Sequence, residues 1–212
     1  MEKFFIIGID EVGRGALAGP VVVAALALPE KFKINKKLLN FQLPKLKDSK
    51  KLSSRQRGIW FQYIKKLPLS YRIAAVFPKI IDEINISQAA NLAATRAFKK
   101  LLAASHFNLT ARVNVFLDGG LYINNLKFKN KKSKLQLKNL KTKTVVKGDE
   151  KIPAISLASI VAKVYRDKLM KKLHKKYPQY DFINNVGYGT KNHIKAIKKF
   201  GHSPIHRKSF KV

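Results

Sequence analysis

The segments Phe4 to Ile9 and Pro20 to Leu28 are short apolar runs without helical spacing, the second rich in valine and closed by Pro29. They read as two buried strands joined by a glycine-rich turn. Tyr71 to Phe77, ended by Pro78, and Arg112 to Leu117 are further strand candidates, and Thr144 to Val146 is a short one. Helical spacing appears in the alanine-rich stretch Gln88 to Ala104, where Leu92, Ala93, Ala97, Phe98, Leu101 and Leu102 share a face behind a Ser87 N-cap. The same periodicity runs from Ile155 to Leu173, with Asp167 in the interior. Ser53 or Ser54 can cap a helix that continues to Lys66 before Pro68, and a last helix is expected from Asn192 to Phe200.

Strands early in the chain, long helices after them and acids at strand ends argue for one α/β layer structure with its site on the strand-end rim. Lys31 to Lys51 shows no sustained period and reads as a surface connection. Lys127 to Lys147 holds nine lysines and no acid, which fits a solvated excursion or weak hairpin. With 212 residues, 46% of them hydrophobic, the chain is long enough for one well-buried core and one domain with a short appendage.

Charge narrows the partners. Lys and Arg number 44 against 12 Asp and Glu, a formal net charge of +32. A polyanion is the expected ligand, and nucleic-acid affinity should fall steeply with salt as condensed counterions are released. The absence of cysteine excludes disulfides, thiolate zinc sites and cysteine nucleophiles, and fits a reducing compartment, with cytoplasm the default. The N-terminal apolar run is too short for a signal peptide before Asp10 intervenes, and no apolar run could span a membrane.

Against that excess of cations, the carboxylates are conspicuous. Asp10 and Glu11 end the first strand and run into Gly13-Arg14-Gly15; Asp118 ends another strand; Asp149 follows Lys147-Gly148. Side chains alternate along a strand, so Asp10 and Glu11 can share a metal only where the chain begins to turn. Four carboxylates from separate segments, with no Cys or His cluster, suit Mg²⁺ or Mn²⁺ rather than zinc. Two such ions about 4 Å apart can cleave a phosphodiester, one activating water and the other stabilising the leaving oxygen. In the Gly13-Arg14-Gly15 turn, glycines allow close backbone approach to a sugar or phosphate, and Arg14 can bind phosphate or pair with an acid.

The motifs Gly8-Ile9-Asp10-Glu11-Val12-Gly13-Arg14-Gly15, Leu17-Ala18-Gly19-Pro20-Val21, Lys47-Asp48-Ser49-Lys50-Lys51-Leu52, Leu117-Asp118-Gly119, Lys147-Gly148-Asp149, Ala158 to Asp167, Gly187-Tyr188-Gly189-Thr190 and Ser203-Pro204-Ile205-His206-Arg207 together resemble bacterial ribonuclease HII, the type 2 ribonuclease H family. They occur in the family's order along essentially the whole chain. The resemblance implies an RNase H-like α/β fold, a central mixed five-stranded sheet flanked by helices, with a C-terminal helical substrate-binding part over about residues 175–212. It implies an endoribonuclease that cuts 5' of ribonucleotides in RNA-DNA hybrids and in DNA duplexes with embedded ribonucleotides, leaving 3'-hydroxyl and 5'-phosphate ends.

By the same match Asp10, Glu11, Asp118 and Asp149 are the metal-binding catalytic acids, holding two Mg²⁺ or Mn²⁺ ions. Gly13, Arg14 and Gly15 read the ribose 2'-hydroxyl, Tyr188 packs against that sugar, and Asp167 lies near the site. The related type with a Gly-Lys-Gly turn and an extra N-terminal domain is disfavoured by Arg14. Two positions depart from the family: Ala16 replaces a common proline, and the lysine-rich excursion before Asp149 is long and is expected to add duplex affinity.

Lys50, Lys51, Ser159, Lys163, Thr190 and Lys191 are candidate phosphate contacts. His193 and His206 are open between phosphate contact and structure, and a carboxylate-metal mechanism needs no histidine base. The rivals are a non-catalytic basic RNA-binding module, which leaves the strand-end acids unexplained, and a junction resolvase of similar fold. A monomer is the default expectation.

Overall fold

The computed structural model describes residues 4–35, 42–104, 112–124 and 140–211. Five strands, β1 (Phe4–Val12), β2 (Val21–Pro29), β3 (Ser70–Val76), β4 (Arg112–Asp118) and β5 (Leu140–Val145), form one sheet in the order β3-β2-β1-β4-β5. The first three make an antiparallel meander, whereas β1, β4 and β5 run parallel. Parallel neighbours need a crossover, and α3 (Ile86–Ala104) carries the chain from β3 at the sheet edge across to β4 beside β1.

Alternation along the strands sorts the core into two layers. Ile7, Ile9, Val21, Val23, Val113, Val115 and Leu117 face α3, where Ala89, Ala93, Ala97, Phe98 and Leu101 are fully buried. Small alanines let that helix lie close to the sheet, while Phe98 and Leu101 each contribute roughly 1.5–3 kcal/mol by burial. Val22, Ala24, Leu26 and Leu28 face the opposite layer, built from α1 (Ser54–Lys66) and α5 (Pro153–Lys176) through Trp60, Tyr63, Leu157, Ala158 and Val161. Gly8 points into this second layer. A Cβ there would lie 2.1 Å from the Ala154 carbonyl carbon, so glycine is what brings α5 onto the centre of β1.

A third cluster, Leu17, Ala18, Met170, Tyr180, Phe182 and Ile197, joins the loop after β1 to α6 (Phe182–Asn185) and α7 (Lys191–Phe200). The C-terminal helices are thereby built onto the segment that follows the Gly13-Arg14-Gly15 turn.

Several elements differ from the sequence expectation. Pro78 does not merely end a strand; it opens the short helix α2 (Pro78–Ile84), where a missing N–H is harmless at the first turn. Ser87 is not the cap of α3: Asn85 accepts the Gln88 N–H through Oδ1 at 3.0 Å, from a backbone with φ 65° and ψ 165° that side-chain-bearing residues seldom adopt. The last strand begins at Leu140, earlier than its apolar residues suggest, because pairing with β4 covers the alternating lysines' backbone. Asp149 sits in a one-turn helix, α4 (Gly148–Lys151). Most of the lysine-rich excursion falls outside the described residues. No described helix is long and apolar enough to cross a membrane.

Candidate active site

Register brings the first two acids together. Ile9 pairs with Leu117 across the parallel β1–β4 ladder, so the next residues, Asp10 and Asp118, leave adjacent strand ends on the same face. That face is the one covered by α5, where Ser159 reaches Asp10 and shares a 2.7 Å hydrogen bond with Ser49. Glu11 belongs to the other face by parity, yet β1 is ending and its carboxylate swings round to the pair. Oxygens of Asp10, Glu11 and Asp118 lie within 4.8 Å of one another.

Such a triad is costly without a cation. Asp10 is 4% exposed, and burial, reinforced by the Glu11 charge, holds its carboxyl well above the ordinary range. Burial also raises Glu11, although Arg14 at 3.3 Å opposes the shift. Glu11 Oε2 is buried with no hydrogen-bond partner, a group that native proteins rarely leave unsatisfied. Three oxygen donors at this spacing, one of them orphaned, fit a hard divalent ion such as Mg²⁺ or Mn²⁺.

Asp149 is tied to the same corner through its neighbour. The Gly148 N–H donates to Asp118 Oδ1 at 2.8 Å, and Asp149 follows at the start of α4, 7% exposed. Its carboxyl is pushed up to about 6, first by burial and then by the charge of Asp48. Asp48 itself accepts the Lys50 N–H at 2.9 Å, which caps a single 3-10 turn over Ser49–Lys51. Burial works against the Lys50 ammonium, but Asp48, Asp10, Asp149 and Asp118 act on it together and raise it. Lys50 thus supplies a positive charge within the field of the acids.

A cleft of about 590 Å³ opens beside the triad, lined by Glu11, Gly13, Arg14, Gly15, Ser49, Lys50, Arg57, Ser159, Lys163 and Tyr188 among others. The other candidates have local duties. Lys163 pairs with Asp167 at 2.9 Å, and Arg57 approaches the same carboxylate at 3.7 Å, so Asp167 is balanced by two cations and stands apart from the triad. Lys51 forms an ion pair with Glu150 and does not line this cleft. Thr190 caps α7 by accepting the His193 N–H at 3.3 Å, and Lys191 is the first residue of that helix. His193 and His206 are buried and bonded to each other at 3.0 Å, which makes them structural.

Those two histidines form a chain with a fixed proton order. Ser203 N–H donates to His206 Nδ1 at 2.9 Å, so His206 carries its proton on Nε2 and donates to His193 Nε2. His193 must then donate from Nδ1 to the Tyr188 carbonyl at 2.9 Å. Burial lowers both imidazoles, His206 to about 4 with help from the His193 charge. The chain holds the backbone of Tyr188, whose ring lies against the Arg166 guanidinium at 5.4 Å.

Asp48, Ser49, Arg57, Arg166 and Arg207 have site-building roles that motif reading assigned to none of them. A signal existed for Arg166: it stands four residues after Ala162 and four before Met170, on the buried stripe of α5.

Comparison with known proteins decides the family. The family model for ribonuclease HII matches residues 7–212. The chain belongs to the ribonuclease HII family. Ribonuclease HII of Endomicrobium trichonymphae is 43% identical over 205 residues, covering 97% of this chain and 84% of the relative. Ribonuclease HII of Chloroherpeton thalassium is 42% identical over 212 residues, covering 100% and 92% respectively. Among solved structures, ribonuclease H2 of Pyrococcus horikoshii is similar with a TM-score of 0.64 and 27% identity, over 97% of this chain and 93% of that one. The chain is accordingly a hydrolase and an endoribonuclease, and the RNase H-like sheet flanked by helices is the fold expected from the resemblance.

Proposed function

We propose that this ribonuclease hydrolyses the phosphodiester on the 5' side of a ribonucleotide in an RNA-DNA hybrid or a DNA duplex, with Mg²⁺ or Mn²⁺ held by Asp10, Glu11, Asp118 and Asp149. The observation that carries the reading is the buried carboxylate triad with its orphaned Glu11 Oε2 at the edge of a cation-lined cleft. A bound divalent ion supplies a lowered pKa for water and stabilises charge on the phosphodiester.

Each residue's part follows from its surroundings. Asp10 and Asp118 share one strand-end face, where both can reach one ligand, and Glu11 and Asp149 flank them. Lys50, placed among four acids, offers its ammonium to the phosphate that displaces solvent from them. Gly13, Arg14 and Gly15 line the same cleft as Lys50 and present backbone and guanidinium donors to the ribose 2'-hydroxyl, the group that separates RNA from DNA. Tyr188 lines the same cleft and packs on the same sugar. Lys163 and Ser159 extend the polar wall. Water is the nucleophile.

The reading includes one catalytic domain over residues 1–212, with the helical part after about residue 175 binding substrate through its lysines, and a cytoplasmic monomer. Support comes from the shared cluster between Leu17, Ala18 and the C-terminal helices, and from a chain without cysteine.

Incision of a labelled DNA duplex containing one ribonucleotide tests the proposal, beside an all-DNA duplex and the Asp10→Asn protein. Cleavage just 5' of the ribonucleotide in Mg²⁺ or Mn²⁺, absent from both controls, is expected. Equal cutting of the all-DNA duplex, or undiminished activity of Asp10→Asn, would overturn it.

A further inference from the structure

Arg166 and Arg207 are 0% and 1% exposed, and their hydrogen-bond partners among the described residues are backbone carbonyls rather than carboxylates. A buried guanidinium with no carboxylate among its hydrogen-bond partners is expensive, so its retention asks for a use. Arg207 donates to Gly13 O at 2.6 Å, to Arg14 O at 2.7 Å and twice to Gly19 O at 2.9 and 3.1 Å. Arg166 donates to Ala18, Pro20 and Val186 carbonyls at 3.1, 3.0 and 2.8 Å. The two forks therefore grip both ends of the loop that carries the Gly13-Arg14-Gly15 turn, and one also holds the approach to Tyr188.

The consequence lies in peptide geometry. In a trans peptide the C=O of one residue and the N–H of the next point in opposite directions. Arg207 draws the Gly13 and Arg14 carbonyls inward, which turns the Arg14 and Gly15 N–H groups outward, toward the cleft those residues line. Two successive N–H groups aimed together form a concave donor pair for an oxygen ligand. Arg166 packs against Gly13 from its side-chain face: the glycine φ is 89°, and a Cβ would lie 2.3 Å from Arg166 Nε.

We infer that Arg207, backed by Arg166, is the positioning residue for ribose selectivity: it presets the Arg14 and Gly15 amides as donors to the 2'-hydroxyl. The inference rests on the proposed ribose reading of the turn. Arg207 touches no substrate atom and acts only through the Gly13 and Arg14 carbonyls, with its bonds to Gly19 O anchoring the fork. Lysine in its place keeps the charge but cannot donate to three carbonyls from one plane.

The test compares affinities in chelator, where no strand is cut, for a duplex with one ribonucleotide and for the same duplex in all-DNA form. For Arg207→Lys the ratio of the two affinities should fall about tenfold, the equivalent of about 1.4 kcal/mol, while all-DNA affinity stays within about twofold. A ratio as large as in the wild type, in a protein that unfolds cooperatively, would overturn the inference and leave the ribose reading standing. A wild-type ratio near one would overturn that reading itself, and this inference with it. Should Arg207→Lys fail to fold, hydrogen exchange of the wild type decides: Arg14 and Gly15 amides shielded only when the ribonucleotide duplex binds, on a segment otherwise as slow as β1, support preset donors. Fast exchange of the whole segment 13–19 in the free protein would refute them.

Discussion

Replacing Asp10 by asparagine should make the metal-free protein more stable while abolishing its activity. Two unit negative charges 4.8 Å apart repel by about 3.5 kcal/mol at an effective dielectric constant of about 20, and Asp10 faces two such neighbours. Protonation caps the cost, because taking up a proton at pH 7 from an ordinary value of 3.8 requires about 4 kcal/mol. Arg14 relieves part of the Glu11 charge, so a gain of about 2 kcal/mol is expected. For a chain of this length that raises the melting temperature by about 4–8 °C. Asparagine keeps the shape and an oxygen to accept the Glu11 N–H, which Asp10 Oδ1 now does at 2.7 Å.

The pH dependence carries a definite sign. The folded-state pKa of Asp10 is raised, so its contribution is fully favourable below 3.8 and is lost as pH rises through the folded value. The advantage of Asp10→Asn should open with rising pH and close on acidification. Thermal denaturation in chelator at pH 5 and pH 7.5 measures it, and added Mg²⁺ should stabilise the wild type more than the variant through mass action. An Asp10→Asn protein that melts at or below the wild-type temperature in chelator at pH 7.5 would show that the acids are not frustrated, and would remove the main physical ground for a cation there.

Three further outcomes are expected. Gly8→Ala should cost about 2–3 kcal/mol or more in urea denaturation, since the new Cβ meets the Ala154 backbone at 2.1 Å and overpacking has no side chain to displace; a cost under about 0.5 kcal/mol would mean that α5 is free to shift. The His193–His206 pair contributes stability that is present above the ordinary value of 6.5 and is lost as pH falls toward about 4, up to roughly 3 kcal/mol, and a His206 NMR titration midpoint near 6.5 would contradict it. Thr190→Ala should lose about 1 kcal/mol of stability as a missing helix cap and leave duplex affinity at a fixed salt concentration unchanged, whereas a loss of affinity alike for ribonucleotide and all-DNA duplexes would make Thr190 a phosphate contact.

How much of this site a sequence displays depends on whether a residue's role is local. Asp10 and Asp118 were legible because a carboxylate that ends an apolar strand announces both its position and its cost. Alternation alone also separates Asp10 from Glu11, and the turn that reunites them is marked by glycine. The α5 and α3 helices were legible for the same reason, their apolar stripes being periodic within one segment. The first turn of α3 was not, because Asn85 caps it from a positive-φ, extended-ψ backbone that no local pattern announces, while Ser87 offered an ordinary cap.

Arg207 marks the opposite limit. The Ser203-Pro204-Ile205-His206-Arg207 motif marks the position but says nothing of its role, since its partners Gly13, Arg14 and Gly19 lie nearly two hundred residues away. Burial is what separates it from the other cations of a strongly basic chain: a surface lysine neutralises phosphate and can move, whereas a planar guanidinium locked on three carbonyls fixes a backbone. A single residue type thus serves two purposes that composition adds together. The surface charge governs how strongly the protein holds any duplex, while the buried pair governs how the turn meets one sugar, and the two should separate under salt, with affinity falling steeply and selectivity for the ribonucleotide holding nearly constant.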